Sequence, residues 1–183
     1  MKIGVLPIGQ VEEAVLQRIQ EGITRVFPDT TCRVVDGKMP LRETAFDKKR
    51  KQFRSHAILS EVQGYAFENS VFDRVLGVVD ADIFVPELNF VFGEAVCPGK
   101  AALISLWRLR PEFYGEAPDV ELLYARAMKE AVHELGHTLG LRHCSRSSCV
   151  MHFSNGVSDT DLKQRLFCDK CFLSVKAGIG RFG

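Results

Sequence analysis

Residues 133–144, HELGHTLGLRHC, constrain the fold of this chain more than any other stretch. His133 and His137 stand at i and i+4, and on a helix of about 3.6 residues per turn this puts both imidazoles on nearly one face, about 6 Å apart along the axis. Such a pair can grip one metal ion. Glu134 can reach the edge of the same site, where a carboxylate beside a metal-bound water serves as general base. Gly140 and His143 extend the pattern to H-E-x-x-H-x-x-G-x-x-H. A straight helix would carry His143 away from the other two, so the chain has to turn sharply, and glycine tolerates the positive φ that such a turn commonly needs. Three neutral imidazoles with a fourth position left for water form the open arrangement of catalytic zinc.

The next residue opens a second constellation. Cys144 and Cys149 form C-x4-C, and Cys168 and Cys171 form C-x2-C. Two short cysteine hairpins brought together make a closed tetrahedral thiolate site, the arrangement of structural zinc. Two disulfides fit a reducing compartment poorly. A zinc-ribbon-like nucleic-acid binder needs a basic surface, but Lys163, Arg165, Lys170 and Lys176 are partly balanced by Asp159, Asp161 and Asp169. A closed site at Cys144 would anchor the backbone that presents His143. Cys32 and Cys97 read as buried free thiols. His56 and His152 have no partner at ligand spacing and read as ordinary structural residues.

Length and charge narrow the class. A chain of 183 residues suffices for one domain with a sizeable core. With 24 Lys plus Arg against 23 Asp plus Glu, no global field steers it toward nucleic acid or an anionic membrane. The run from Lys48 to Arg54 reads as a solvated segment. Gly4 and Pro7 break the first apolar run before it could serve as a signal peptide, and no apolar run approaches the roughly 20 residues that span a bilayer. A soluble, cytoplasmic monomer is expected.

The pattern predicts a buried first strand in KIGVLPIG and then a helix with Val11, Val15, Ile19, Ile23 and Val26 at helical spacing, ended by Pro28. TCRVV reads as a short strand, residues 36–54 as a polar stretch with turns, and residues 55–68 as a helix. RVLGVVDADIFV reads as a strand inside a sheet, and FVFGEAVCPGKAALISLWRLRP as two extended segments broken at Pro98 and Gly99. A long helix begins near Pro118 and stops at Gly140, with Leu122, Ala125, Met128, Val132, Leu135 and Leu139 mainly on one side. Beyond Gly140 the chain reads as loop-rich up to a short apolar end. Alternating strands and helices point to an α/β or α+β layer.

From His133 to Cys171 the chain resembles the archaemetzincins, a metzincin branch whose signature joins HExxHxxGxxH to C-x4-C-x-M and a later C-x-x-C. The matching residues are His133, Glu134, His137, Gly140, His143, Cys144, Cys149, Met151, Cys168 and Cys171. Upstream, VLGVVDADIFVP and GKAALISLWRLRPEFYG are similar to the family's sheet strands. The resemblance implies an α/β (α+β) metzincin-like zincin in one catalytic domain over residues 1–183. Its N-terminal lobe, 1–140, would hold a mixed twisted sheet, helices and the active-site helix, and its C-terminal lobe, 141–183, would be tied by zinc. It implies that Met151 is the methionine of a Met-turn, an apolar floor under the metal. Phe153 lies where some other metzincins carry a tyrosine, and it has no hydroxyl to approach the metal.

The expected function is hydrolysis of peptide bonds by a zinc-bound water, with Glu134 as general base. Two Zn2+ per chain are expected, one catalytic on His133, His137 and His143 and one structural on Cys144, Cys149, Cys168 and Cys171. A peptide or protein substrate in extended form is expected to pair with an edge strand at residues 101–107. The alternative is a zinc-stabilised peptide-binding or interaction protein with a silent or empty catalytic site.

Overall fold

Parity along the buried strands sorts the core into two layers. In the computed structural model, which describes residues 1–182, β5 (Arg74–Val79) is buried at every position, as its apolar run predicts. Leu76 and Val78 enter one core, while Val75 and Val79 enter another. β8 (Ala101–Ser105) divides in the same way, Ala102 and Ile104 on one face and Ala101 and Leu103 on the other. A strand covered on both faces needs helices on both faces. Helix α1 (Glu13–Val26) covers the first face through Val15, Ile19 and Ile23, and α2 (Ser55–Glu68) covers the second through Leu59 and Val62.

The main sheet is mixed. With β1 (Lys2–Ile8), β2 (Thr31–Val34) and β7 (Gly93–Ala95), its order is β2-β1-β5-β8-β7. All neighbours run parallel except β7, which is antiparallel to β8. The polar stretch expected to be turns also contains β3 (Phe46–Asp47) and β4 (Gln52–Arg54), which join β6 (Ile83–Phe84) in a second, three-stranded sheet. These strands are too short to leave a period-2 signal.

The expected edge strand is not at the edge. Residues 101–105 form β8, flanked by β5 on one side and β7 on the other, and the chain then leaves the sheet in a 3-10 turn at Trp107. On that side the edge belongs to β7, which lies within the first of the two expected extended segments; its place in the strand order leaves no mark in the sequence.

Helix α3 (Val120–Thr138) is capped by Asp119, whose Oδ1 accepts from the Leu122 N–H at 3.0 Å, so Pro118 precedes the cap rather than entering the first turn. The helix is buried around most of its circumference, including Arg126, Glu130, His133 and Glu134, because it lies between the sheet and the C-terminal segment. Ala125, expected on the buried side, is exposed.

The C-terminal segment is more helical than its sequence suggests. It contains α4 (Val157–Leu162) and the 14-residue α5 (Asp169–Phe182). The stripe of α5 is made of Cys171, Val175 and Gly178, where a Cβ would stand 2.9 Å from the Leu139 carbonyl oxygen. Small residues and a cysteine hide such a stripe from hydropathy. Among the described residues, no helix is long and apolar enough to cross a membrane.

Candidate active site

The last turn of α3 builds the centre locally, and the turn after it completes the set. Gly140 has φ +88°, the left-handed conformation that ends the helix and returns the chain toward it. The ligand atoms of His133, His137 and His143 then lie within 4.8 Å of one another. The His143 ring stacks on that of His133 at 5.3 Å and meets that of His137 edge-on at 4.9 Å.

Hydrogen bonds at the rear of the rings decide their chemistry. His133 Nδ1 is 2.8 Å from the Val150 carbonyl oxygen, and His137 Nδ1 is 2.7 Å from that of Leu141. A carbonyl only accepts, so each Nδ1 carries the proton and each Nε2 of a neutral ring presents a lone pair. Burial holds the proton affinity of both rings below the usual histidine range, well below for His133. The two Nε2 atoms nevertheless face each other at 3.1 Å. Two lone pairs repel at that distance unless a cation lies between them and the third ring, so the donor set fits a divalent metal that favours nitrogen ligands.

Glu134 points into the same cleft, a cavity of about 420 Å³ between residues 88–95 and the histidines. Burial raises its carboxyl well above the ordinary 4.5, with Glu130 adding to the effect and Lys163 opposing it. Space for its side chain depends on Gly93, where a Cβ would stand 2.6 Å from Glu134 Cγ and 2.7 Å from Oε1. Phe153 packs edge-on against His143 at 4.9 Å and forms an apolar wall of the cleft.

Met151 is fully buried, and a Cβ on Gly136 would stand 2.5 Å from its sulfur, so the thioether lies against the helix backbone between His133 and His137. Its carbonyl accepts from the Cys144 N–H at 2.9 Å, while that of Val150 holds His133. Two adjacent residues therefore tie the helix to the chain just past His143.

Beyond that junction Cys144, Cys149, Cys168 and Cys171 bring their sulfurs within 4.8 Å of one another. They converge on one point rather than forming two bonded pairs, and the Cys144 and Cys168 sulfurs are 3.9 Å apart. Hydrogen bonds, first among them that of the Cys171 N–H, pull the Cys168 thiol down to about 7, while burial pushes Cys149 and Cys171 up. Sulfurs this close share few protons and suit a metal that takes thiolates.

Other expectations meet mixed outcomes. His152 donates from Nδ1 to the Cys144 carbonyl at 3.0 Å, a structural contact. His56 is exposed beside Glu94. Cys32 is half-buried, and burial pushes its thiol up to about 12. Cys97 is not buried. It is exposed on the cleft, because the break at Pro98 and Gly99 turns the chain out of the sheet. Gly93, Glu94 and Glu130 line the cleft, Lys163 pairs with Glu130, and none of the four carries a local motif.

Residues 10–177 match the sequence model of peptidase family M54. The chain belongs to this family. It is 45% identical over 176 residues to the archaemetzincin of Methanocaldococcus jannaschii, covering 96% of this chain and 93% of that one. Among solved structures, the archaemetzincin of Methanopyrus kandleri superposes with a TM-score of 0.86 at 34% identity, covering 99% of this chain and 96% of that one. A zinc-dependent peptidase of Methanocorpusculum labreanum gives 0.85 at 27% identity, covering 94% and 99%. The M54 chain is therefore a zinc metallopeptidase with the mixed α/β architecture of the archaemetzincins, and its substrates are peptides or proteins.

Proposed function

We propose that this M54 peptidase hydrolyses an extended peptide at a zinc held by His133, His137 and His143, with Glu134 as general base. A second, structural zinc is held by Cys144, Cys149, Cys168 and Cys171. The supporting observation is the pair of facing Nε2 atoms at 3.1 Å beside a buried glutamate. Zinc, when bound, supplies a Lewis acid that polarises the scissile carbonyl and lowers the pKa of water to about 7.

The chain's own residues do the rest. Glu134, whose proton affinity is raised by burial, takes a proton from the attacking water and passes it to the leaving amine. Phe153 offers no hydroxyl, so Glu134 acts without a neighbouring phenol. Met151 gives the histidines an apolar floor, and the four cysteines fix the chain that carries His143.

The substrate main chain pairs with β7. The Ser105 N–H donates to the Phe92 carbonyl and the Val96 N–H to that of Ala101, and antiparallel ladders alternate by two. Glu94 therefore bonds to β8, while Gly93 and Ala95 turn their N–H and C=O groups outward, where an extended peptide adds as the next strand. Residues 1–183 act as one catalytic domain with lobes at 1–140 and 141–183. The near-neutral charge suits a cytoplasmic monomer with no nucleic-acid or membrane partner.

The test is Glu134→Gln. Metal analysis should find about two zincs per chain in both wild type and variant, with turnover of a degenerate peptide library lost only in the variant. Wild-type turnover in the variant would overturn the role of Glu134.

A further inference from the structure

We propose that Glu94 makes the edge strand selective for peptides that carry lysine or arginine at the position lying opposite it; this rests on the reading that substrate pairs with β7. Side chains on a strand alternate between faces. Gly93 faces Glu134 on α3, whereas Glu94 faces Ser55 and His56 on α2. Because Glu94 spends its main-chain groups on β8, the residue opposite it in a peptide that adds antiparallel to β7 forms a non-hydrogen-bonded pair, with Cα atoms about 4.5 Å apart and side chains on the same face. That residue reads Glu94 directly.

The carboxylate is held for such a partner. Glu94 Oε2 accepts from Ser55 Oγ at 2.5 Å, which fixes the side chain, and Oε1 lies 3.4 Å from Nδ1 of the exposed His56. The glutamate side chain keeps 23% of its surface open. Among the described residues, His56 is the one side chain within ion-pair distance, and no lysine or arginine is. Glu130, another carboxylate of the cleft, is paired with Lys163 at 3.0 Å. No lysine or arginine among the described residues lines the cleft, whose walls include Phe90, Phe92 and Phe153. A partly desolvated carboxylate without a permanent cation favours a charge-assisted hydrogen bond from the ligand.

The experiment uses zinc-loaded Glu134→Gln protein and fluorescent peptides in which one lysine is walked through a neutral norleucine sequence, with binding read by anisotropy. One lysine position should tighten binding about five- to ten-fold over norleucine. Glu94→Gln should bring that ratio near one, and Glu94→Arg should make glutamate the preferred residue at the same position. No lysine gain at any position, or a gain that survives Glu94→Gln, overturns the proposal. Turnover by the Glu134 enzyme, measured in parallel, separates the two readings. Lysine-selective binding without turnover supports the proposal and sinks the hydrolytic assignment. Turnover with no lysine preference does the reverse, and the absence of both turnover and binding for every peptide overturns both.

Discussion

Lys163 is wholly buried, and its ammonium nitrogen lies 3.0 Å from Oε1 of Glu130, a residue of the active-site helix that is itself buried. The same carboxylate oxygen accepts from Thr160 at 2.9 Å, so the pair joins the α4 segment to α3 one turn before Glu134. Removing one member of a buried ion pair leaves the other charge uncompensated. Lys163→Met should lower unfolding free energy by about 3–5 kcal/mol. The double variant Lys163→Met, Glu130→Gln keeps an acceptor for Thr160 and should recover at least half of that loss. Urea denaturation of the zinc-loaded proteins measures both; equal loss in the single and double variants would contradict an uncompensated charge as the cause.

Gly93→Ala adds a Cβ 2.6 Å from both Glu134 Cγ and the Leu103 carbonyl oxygen. The Leu103 carbonyl is ladder backbone, so β7 has to shift against β8, and the Glu134 side chain, crowded by the same methyl group, has to move as well. A displacement of about 1 Å in a catalytic group lowers rate on the order of 10²-fold. The expected result is a comparable fall in kcat with zinc content unchanged. A variant that loses metal instead would show that the crowding reaches the histidines.

Gly136→Ala places a methyl group 2.5 Å from the Met151 sulfur. Overpacking of this kind costs about 1–3 kcal/mol. Because the Val150 and Met151 carbonyls hold His133 and Cys144, zinc affinity at the histidine site should fall as well. Chelator competition reads the affinity, and unaltered zinc binding would mean that Met151 shifts without moving those carbonyls.

Acid should weaken the zinc-free protein. Burial lowers His133, His137 and His143 below the ordinary 6.5, so unfolding takes up protons as the medium becomes acidic. Their contribution is fully present above pH 6.5 and is lost as pH falls through the folded values, by up to about 1.4 kcal/mol per pH unit for each proton. Glu134 has the opposite sign: its raised value means that stability is lost as pH rises from 4.5 toward the folded value. Thermal melts in chelator between pH 7.5 and 5.5 should therefore fall toward acid, and more steeply in Glu134→Gln. A flat profile in both proteins would refute the assignment of neutral, buried imidazoles.

Cys144→Ser should remove the structural zinc, taking the metal content from about two per chain to about one or less, with a loss of at least about 3 kcal/mol in stability. The histidine site should also weaken, because the Cys144 N–H ties its chain to Met151. Two zincs retained in the variant would argue against the cysteine quartet as a metal site.

The sequence by itself determined the two histidine and cysteine clusters, because their geometry is local. An i, i+4 pair on a helix, a glycine at the turn after it and two cysteine hairpins can be read within forty residues, and the buried runs of β5 and β8 announce strands covered on both faces. Short elements and small-residue stripes were not legible: β3 and β4 have two and three residues, and α5 packs through cysteine, valine and glycine. Only the tertiary structure decided which strand forms the rim of the cleft. It also decided what surrounds Glu134, since Gly93 reaches it from β7 and Lys163 balances Glu130 from the α4 segment. The Ser55–Glu94 bond spans 39 positions. Such pairings arise from strand order and helix docking, for which no residue spacing in the chain provides a code.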